Sequence, residues 1–270
     1  MKIMKNRKGD GNLEKPRKSI IIAYLVIIFC SVFVFSGLGN ALEIVLEPDN
    51  AQRQVGAKVR VHIYADSADS LISMGVRVSF NPAVLQVDSA AKDDAWVMDA
   101  DADLETTDDQ YTTPAVEFDN VGGTVTMIGG RLMGSSTSGL SGDVLLGWIV
   151  FEAVGIGESN LNVNRAKDPP FDNFVKLDAG SGVLDEPTNV PGDLGIICVS
   201  ANACEGDIAE PYGSVDGVDF NAFRAAFGSA FPGASYDPRA DLDGSGAVDG
   251  IDFNLFRADF GRGDCSDNCP

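Results

Sequence analysis

The chain has 270 residues, of which 44% are hydrophobic and 22% charged, so it can form one or two domains with hydrophobic cores. Forty acidic residues against twenty basic ones give a formal net charge of −20, which repels nucleic acid and anionic membrane surfaces. A single histidine, His62, argues against Ser-His-Asp catalysis and against zinc sites built from several histidines.

The N-terminal segment has the pattern of a signal peptide. Seven Lys and Arg residues precede an apolar stretch from Ile20 to Phe35, and Gly39 with Ala41 forms a small-x-small cleavage site. We therefore predict that residues 1–41 are removed and that the protein is secreted, to the extracellular space or the cell surface. An uncleaved membrane anchor is the alternative, although these sixteen residues fall short of the roughly 20 that span a bilayer.

Residues 42–185 are predicted to form an antiparallel β-sandwich, which makes the fold class mainly β. Apolar and polar residues alternate in short segments rich in β-branched residues, and glycine-rich breaks separate the segments. The predicted strands are 58–64, 74–80, 123–128, 144–153 and 159–163. His62 is in phase with the polar residues Lys58 and Arg60, so we expect it on the sandwich surface.

Two parts of this region resemble cohesin domains. The first is the segment 74–87, in which an Asn81-Pro82 turn is followed by a Leu-x-Val strand, and the second is the pair of late strands in 142–153 and 155–163. The resemblance implies a nine-stranded jelly-roll, related to carbohydrate-binding modules, with a sheet face that binds dockerin domains. It implies no particular ligand residue.

Four cysteines lie beyond the predicted signal peptide, namely Cys198, Cys204, Cys265 and Cys269. An even number in an exported protein predicts disulfides, with the connectivity left open, and a four-cysteine zinc site is the alternative. A bridge from the first two to the last two closes a loop of roughly 60 residues and stabilises the fold by about 4 kcal/mol. Residues 186–203 are predicted to be a joint that can hold a last strand.

A sequence repeat predicts a small α-helical calcium-binding domain in residues 204–270. The segment 215–228 recurs 33 residues later as 248–261, with eleven of fourteen positions identical. Ahead of the second copy, oxygen-bearing residues occupy the ligand places of a twelve-residue EF-hand loop, with Gly246 at the sixth place. The predicted Ca²⁺ ligands are Asp241, Asp243, Ser245, Ala247 (through its carbonyl), Asp249 and Asp252.

The first copy has a less regular loop, because one inserted residue separates its first-place acid from the rest. Its candidate calcium ligands are Asp207, Glu210, Asp216 and Asp219, and a solvated acidic turn is the alternative. After each loop, phenylalanines recur at three- and four-residue spacing, which predicts two amphipathic helices packed together in the core. These phenylalanines are Phe220, Phe223 and Phe227 in the first copy and Phe253, Phe256 and Phe260 in the second.

The duplicated loop, ending in Asp and followed each time by one helix, resembles a dockerin domain over residues 204–265. The resemblance implies that the two helices bind cohesin domains. It places the following residues on or near the recognition face: Gly217, Val218, Arg224, Gly250, Ile251 and Arg257. Gly-Val and Gly-Ile stand where many dockerins have a hydroxyl pair, so we expect a more apolar partner surface than usual.

These patterns predict an exported, non-catalytic, calcium-dependent protein that binds cohesin- or dockerin-bearing proteins, copies of itself included. A carbohydrate-binding module that takes polysaccharide is the alternative, with Trp96 exposed for sugar stacking and Trp148 in the core. A glycoside hydrolase needs two carboxylates in a cleft, and no acidic pair lies in apolar sequence that would raise a pKa.

Overall fold

The computed structural model describes residues 41–96, 116–131, 138–166 and 173–265. The predicted signal peptide, apart from Ala41, and Cys269 lie outside this part of the chain. The described residues belong to one compact unit. Within the described ranges, no helix is both long enough and apolar enough to cross a membrane.

The described residues contain eleven strands and two helices. The strands are β1 (Glu43–Glu47), β2 (Asn50–Arg53), β3 (Lys58–Ser79), β4 (Leu85–Lys92), β5 (Val116–Asp119), β6 (Thr124–Gly130), β7 (Leu140–Ala153), β8 (Gly157–Arg165), β9 (Val175–Asp178), β10 (Ser181–Leu184) and β11 (Gly192–Val199). The helices are α1 (Gly217–Ala226) and α2 (Gly250–Asp259). The predicted mainly β fold class is confirmed, with eleven strands in these ranges where the cohesin resemblance implies nine.

Strand β3 belongs to both layers of the sandwich. Its first half pairs with β1 and β7, and β4 extends that layer beyond β7. Its second half pairs with β6, β8 and β9; β5 lies beyond β6, and β11 with β2 lies beyond β8. The segments 58–64 and 74–80, predicted as separate strands, are therefore one strand. Register shifts between Ala65 and Leu71 bend the chain there, so no turn is needed.

The core between the layers is formed by alternate residues of each strand, as period two requires. Val59, Val61 and Ile63 of β3 are buried in it together with Phe151 and Trp96. The indole Nε1 of Trp96 donates a hydrogen bond to the Leu145 carbonyl at 2.8 Å. The expectation of an exposed Trp96 is therefore wrong, because its polar edge is satisfied by backbone inside the fold.

The outer face of the first half of β3 is covered by the C-terminal segment. His62, predicted to lie on the surface, is 1% exposed and stacks on Phe231 at a centroid distance of 4.4 Å. Burial lowers the pKa of His62 to about 4, and the positive charge of Arg60 contributes to this. The surface prediction is wrong because the polar phase of this strand faces another part of the protein and not water.

The C-terminal segment has a small core of its own between α1 and α2. Phe223 and Phe256 stack at 5.0 Å and are buried with Val215 and Val248. The other four phenylalanines of the repeat are at least 37% exposed, so the predicted shared core of six is wrong. Each ten-residue helix buries only one narrow stripe of side chains, and the flanking positions face outward. In α1 the buried residues are Asp219, Phe223 and Ala226.

A disulfide joins Cys204 to Cys265, which are 61 residues apart, and so closes the repeat on itself. Cys198 is also disulfide-bonded. It belongs to β11, which lies in the segment 186–203 that was predicted as a joint able to hold a last strand. The zinc alternative is not supported, because disulfide sulfurs are not thiolate ligands.

Replacing both cysteines of the closed loop, Cys204→Ser with Cys265→Ser, should lower the free energy of unfolding by about 4 kcal/mol. The expected loss reflects the greater chain entropy of the unfolded state when a loop of this length is opened. Urea unfolding of the chain from Leu42 onward measures it. The Cys204→Ser single variant should lose a similar amount; an unfolding midpoint equal to that of the wild type would contradict the bridge.

Candidate metal centre and interaction surface

Three carboxylates converge in the loop between residues 241 and 252. Ligand atoms of Asp241, Asp243 and Asp252 all lie within 4.8 Å of one another. Asp241 and Asp252 are fully buried, and Asp243 is half-buried. The sequence is able to close this tightly because Gly244 and Gly246 adopt positive φ angles of 71° and 91°, which other residues rarely tolerate.

Asp252 both closes the loop and begins α2. Its Oδ1 accepts hydrogen bonds from the backbone N–H groups of Leu242 (2.8 Å) and Asp243 (3.1 Å). Its Oδ2 accepts one from the Asp249 N–H at 2.8 Å, while the Asp249 side chain caps the helix by accepting from the Ile251 N–H. This reciprocal arrangement is a capping box, so the end of the loop and the helix start are fixed together.

Asp241 is held from its outer side. Its Oδ2 accepts hydrogen bonds from the Tyr236 hydroxyl at 2.6 Å and the Gly246 N–H at 2.8 Å. Ser245 Oγ approaches the other oxygen, Oδ1, at 3.5 Å. Sequence reasoning missed Tyr236, because a tyrosine five residues before a calcium loop belongs to no ligand pattern. Burial and Asp241 raise the pKa of Tyr236, so its hydroxyl remains a donor.

Burial raises the pKa values of the central acids. The pKa of Asp252 rises to about 6, although hydrogen bonds from the Asp249 and Asp243 N–H groups oppose the rise. Burial also raises the pKa of Asp241, against the hydrogen bonds from Tyr236 and Gly246. Clustered carboxylates removed from water are costly when charged, and a cation among them would compensate that cost.

The donor set of this loop fits a hard divalent cation. Besides the three carboxylates it offers the Ser245 hydroxyl and the Ala247 carbonyl, which lie 3.2 Å apart, and it contains no nitrogen or sulfur donor. Oxygen-only sets of this kind suit Ca²⁺. Asp249 is exposed and serves as the helix cap, so its contribution to a cation at the ninth place would be indirect.

The first loop repeats the scaffold without the full set of acids. Asp219 accepts from the Ile208 and Ala209 N–H groups as Asp252 does from Leu242 and Asp243, and Asp207 accepts from Gly213 as Asp241 does from Gly246. Ala209 thus stands where the second loop has Asp243. Glu210 is exposed, and Asp216 caps α1. Among the described residues, the close grouping of three acids occurs at the second loop alone.

The two repeats are joined crosswise. Val248 donates its N–H to the Ser229 carbonyl beyond α1, and Val215 donates to the Arg262 carbonyl beyond α2, both at 2.9 Å. Each loop thus pairs with the residues that follow the helix of the other repeat. The result is a near-symmetric pair of loops and helices.

An apolar surface lies on the outer side of the two helices. Val218 and Ile251, at the first turns of α1 and α2, are 46% and 57% exposed. The remaining predicted recognition residues, Gly217, Gly250, Arg224 and Arg257, are exposed as well. Sequence reasoning did not predict that four phenylalanines, Phe220, Phe227, Phe253 and Phe260, would be exposed; at 100° per residue they lie on the opposite side of each helix from Val218 and Ile251. Asp219 and Asp252 could have indicated this exposure, because these two buried residues fix which side of each helix faces inward.

No protein-family model and no curated protein matches this chain. The chain is similar to solved cohesins. The seventh type I cohesin of ScaB from Pseudobacteroides cellulosolvens is 14% identical, with a TM-score of 0.44, and the match covers 60% of this chain and 94% of that one.

Two further solved cohesins are similar at the same level. A non-cellulosomal cohesin from the hyperthermophilic archaeon Archaeoglobus fulgidus is 15% identical over 60% of this chain and 93% of that chain, with a TM-score of 0.40. The third cohesin of ScaC from Acetivibrio cellulolyticus, solved with the ScaB dockerin, is 20% identical over 59% and 99%, with a TM-score of 0.41. These are members of the family that residues 42–185 resemble in sequence.

Removing the charge of Asp241 should weaken calcium binding by about 100-fold, because a buried carboxylate of the cluster is lost while its shape is kept. The variant is Asp241→Asn, and the measurement is isothermal titration of calcium into the metal-stripped chain. Asp207→Asn, the same change in the first loop, is the matched control and should leave one tight site per chain. Two tight sites in the wild type would contradict this assignment.

Calcium binding should weaken about tenfold between pH 7 and pH 5, because protons compete for Asp252 below its pKa of about 6. The Asp252 carboxylate is mostly ionised at pH 7 and mostly protonated at pH 5. Titrations at the two pH values and equal ionic strength measure the change. Equal affinities would show that Asp252 is not a ligand of the cation.

Proposed function

We propose that this protein is an exported, non-catalytic interaction protein that binds a partner protein through the α1–α2 surface in a calcium-dependent manner. The observation that carries the proposal is the duplicated apolar surface, on which Val218 and Ile251 are both exposed at equivalent positions. Exposed apolar patches of this kind mark interaction sites in soluble proteins. Extracellular or cell-surface assembly is the setting that the predicted signal peptide supports.

The four exposed phenylalanines form a second apolar surface, on the opposite side of each helix from Val218 and Ile251. Phe220 lies 6.3 Å from Phe260 and Phe227 lies 6.5 Å from Phe253, measured between ring centroids. The two pairs lie on either side of the buried Phe223–Phe256 stack. Aromatic side chains on a rigid support are the residues that contribute most to protein interfaces. A partner therefore meets a firm apolar ridge with the same features on each helix.

Charge adds a second element of recognition. Arg224 and Arg257 are exposed near the ends of α1 and α2, in a chain whose net charge is −20. Two basic side chains beside an apolar ridge suit a partner with acidic groups around an apolar patch. The dockerin resemblance of residues 204–265 makes a cohesin-bearing protein our proposed partner, and a second copy of this chain is one such protein.

Calcium would act by fixing the second loop. When bound, it would neutralise the clustered carboxylates of Asp241, Asp243 and Asp252. Asp252 is also part of the capping box of α2, so an ordered loop holds the first turn of that helix, which presents Ile251. Loss of the cation would leave three repelling acids at this point. Calcium dependence of partner binding follows from that shared residue.

The carbohydrate alternative has little support in the described residues. Trp96 is buried, and Trp148 is partly exposed with the Arg60 guanidinium 4.1 Å above its ring. The first indole is inaccessible to a sugar ring, and one face of the second is already covered by a guanidinium. We therefore propose that polysaccharide is bound by other members of the assemblies in which such a protein acts, and that it is not a ligand of this protein.

Introducing charge at both helix starts, Val218→Asp with Ile251→Asp, should abolish partner binding, with a loss of about 100-fold or more because both apolar anchors are removed. Each single variant should retain binding within about threefold if either repeat can serve. Binding is measured on immobilised type I cohesin domains and, for self-association, by sedimentation velocity, each with calcium or with a chelator.

Val121→Asp is the matched control, because Val121 is 89% exposed on the sandwich, in the turn between β5 and β6. It should bind like the wild type. A double variant that binds as tightly as the wild type, or binding that is unchanged by the chelator, would contradict the proposal. A wild-type chain that stays monomeric at high concentration would remove self-association alone.

A further inference from the structure

The second calcium loop lies directly on the outer face of the sandwich. A Cβ atom added at Gly244 would lie 3.3 Å from Val150 of β7 and 3.4 Å from the Lys58 side chain of β3. One added at Gly246 would lie 3.4 Å from the guanidinium of Arg60. The loop backbone therefore packs closely against the sheet, and the two parts share one interface.

Arg60 brings a fixed positive charge to the loop from the sandwich. Its Nε donates a hydrogen bond to the Gly244 carbonyl at 3.1 Å and lies 3.8 Å from Asp241 Oδ2. Its guanidinium lies 4.1 Å above the Trp148 ring, and the residue is only 8% exposed. The Arg60 guanidinium is thus held in place by a backbone carbonyl, a carboxylate and an aromatic ring at the same time.

A buried guanidinium beside the first acid of the loop has opposite effects on the loop with and without calcium. Without calcium, the guanidinium partly compensates the three acids, so it favours the loop lying on the sandwich. With a divalent cation among the same acids, a second positive charge nearby and shielded from water is repulsive. The same contact therefore stabilises the cation-free loop more than the loaded one.

The contact that His62 makes with the C-terminal segment, next to Arg60, is a weak one. His62 stacks on Phe231 and meets the edge of Tyr236, yet neither of its ring nitrogens has a hydrogen-bond partner in the described part of the chain. Buried polar atoms without partners favour a state in which water can reach them. Docking of residues 229–246 on β3 is therefore opposed by His62 and depends the more on Arg60.

We propose that Arg60 is an internal counter-ion that competes with calcium at the second loop, so that calcium loading and docking of this loop on the sandwich oppose each other. The inference rests on the proposed function, since it requires that the loop bind calcium. Linkage makes the effect reciprocal: the factor by which docking weakens calcium binding is the factor by which calcium weakens docking. Calcium would then expose the face of β3 that carries Arg60 and His62.

A purely architectural role for Arg60 makes the opposite prediction. If the guanidinium served only to orient the Gly244 carbonyl and Asp241, its removal would disorder the loop and weaken calcium binding. The sign of the change in affinity therefore separates competition from positioning.

The experiment is calcium titration of the chain from Leu42 onward, as wild type and as Arg60→Gln, Arg60→Lys and Arg77→Gln. Arg60→Gln should bind calcium about tenfold more tightly, and Arg60→Lys, which keeps the charge, should stay within about threefold of the wild type. Arg77 lies in the second half of the same strand, where it donates to the Ala166 carbonyl, so its variant should match the wild type. Unchanged or weaker binding by Arg60→Gln overturns the inference and leaves the proposed function standing.

Reaction of His62, the single histidine of the chain, with a histidine-modifying reagent gives a second readout that needs no variant. Calcium should speed this reaction at least threefold, and an unchanged or slower reaction overturns the inference even if Arg60→Gln does not fold. A wild-type chain that takes up no calcium overturns both the inference and the calcium dependence of the proposed function. Tighter binding by Arg60→Gln together with faster modification supports the coupling.

Discussion

Strand β3 is the element on which the rest of the molecule depends. It is paired with β1, β6, β7, β8 and β9, and so it ties both layers of the sandwich to one continuous segment. Its inward residues supply part of the core, while its outward residues receive the C-terminal segment. A change in the register of this strand would move Arg60 and His62 into the core and Val59 and Val61 out of it, so sandwich and loop are specified by the same alternation.

A second constraint is the double use of Asp219 and Asp252. Each accepts backbone hydrogen bonds from the start of its loop and completes the capping box of its helix. A carboxylate with both oxygens occupied in this way couples loop shape to helix position. A cation bound at the second loop, as we propose, would therefore act on the start of α2 through Asp252.

The interface between sandwich and repeat links these two constraints. It consists of charged and aromatic contacts from Arg60 and His62, with Gln54 donating to Glu205 and to the Ala203 carbonyl nearby. Such an interface is polar enough to respond to the charge state of the adjoining loop. Val218 and Ile251 at the helix starts, on the other hand, are exposed, and we propose that a partner binds there.

The sequence by itself determined the period-two strands, the repeat, the residues of the second loop and the two helices, because each is a local pattern with a local physical cause. It also contained the cysteines of one bridge, although not their pairing. The tertiary structure alone decided which faces are exposed: His62 and Arg60 are buried, and four of the six phenylalanines are not. A polar strand face reads the same whether it meets water or a polar loop 184 residues away, so no local pattern could reveal that contact.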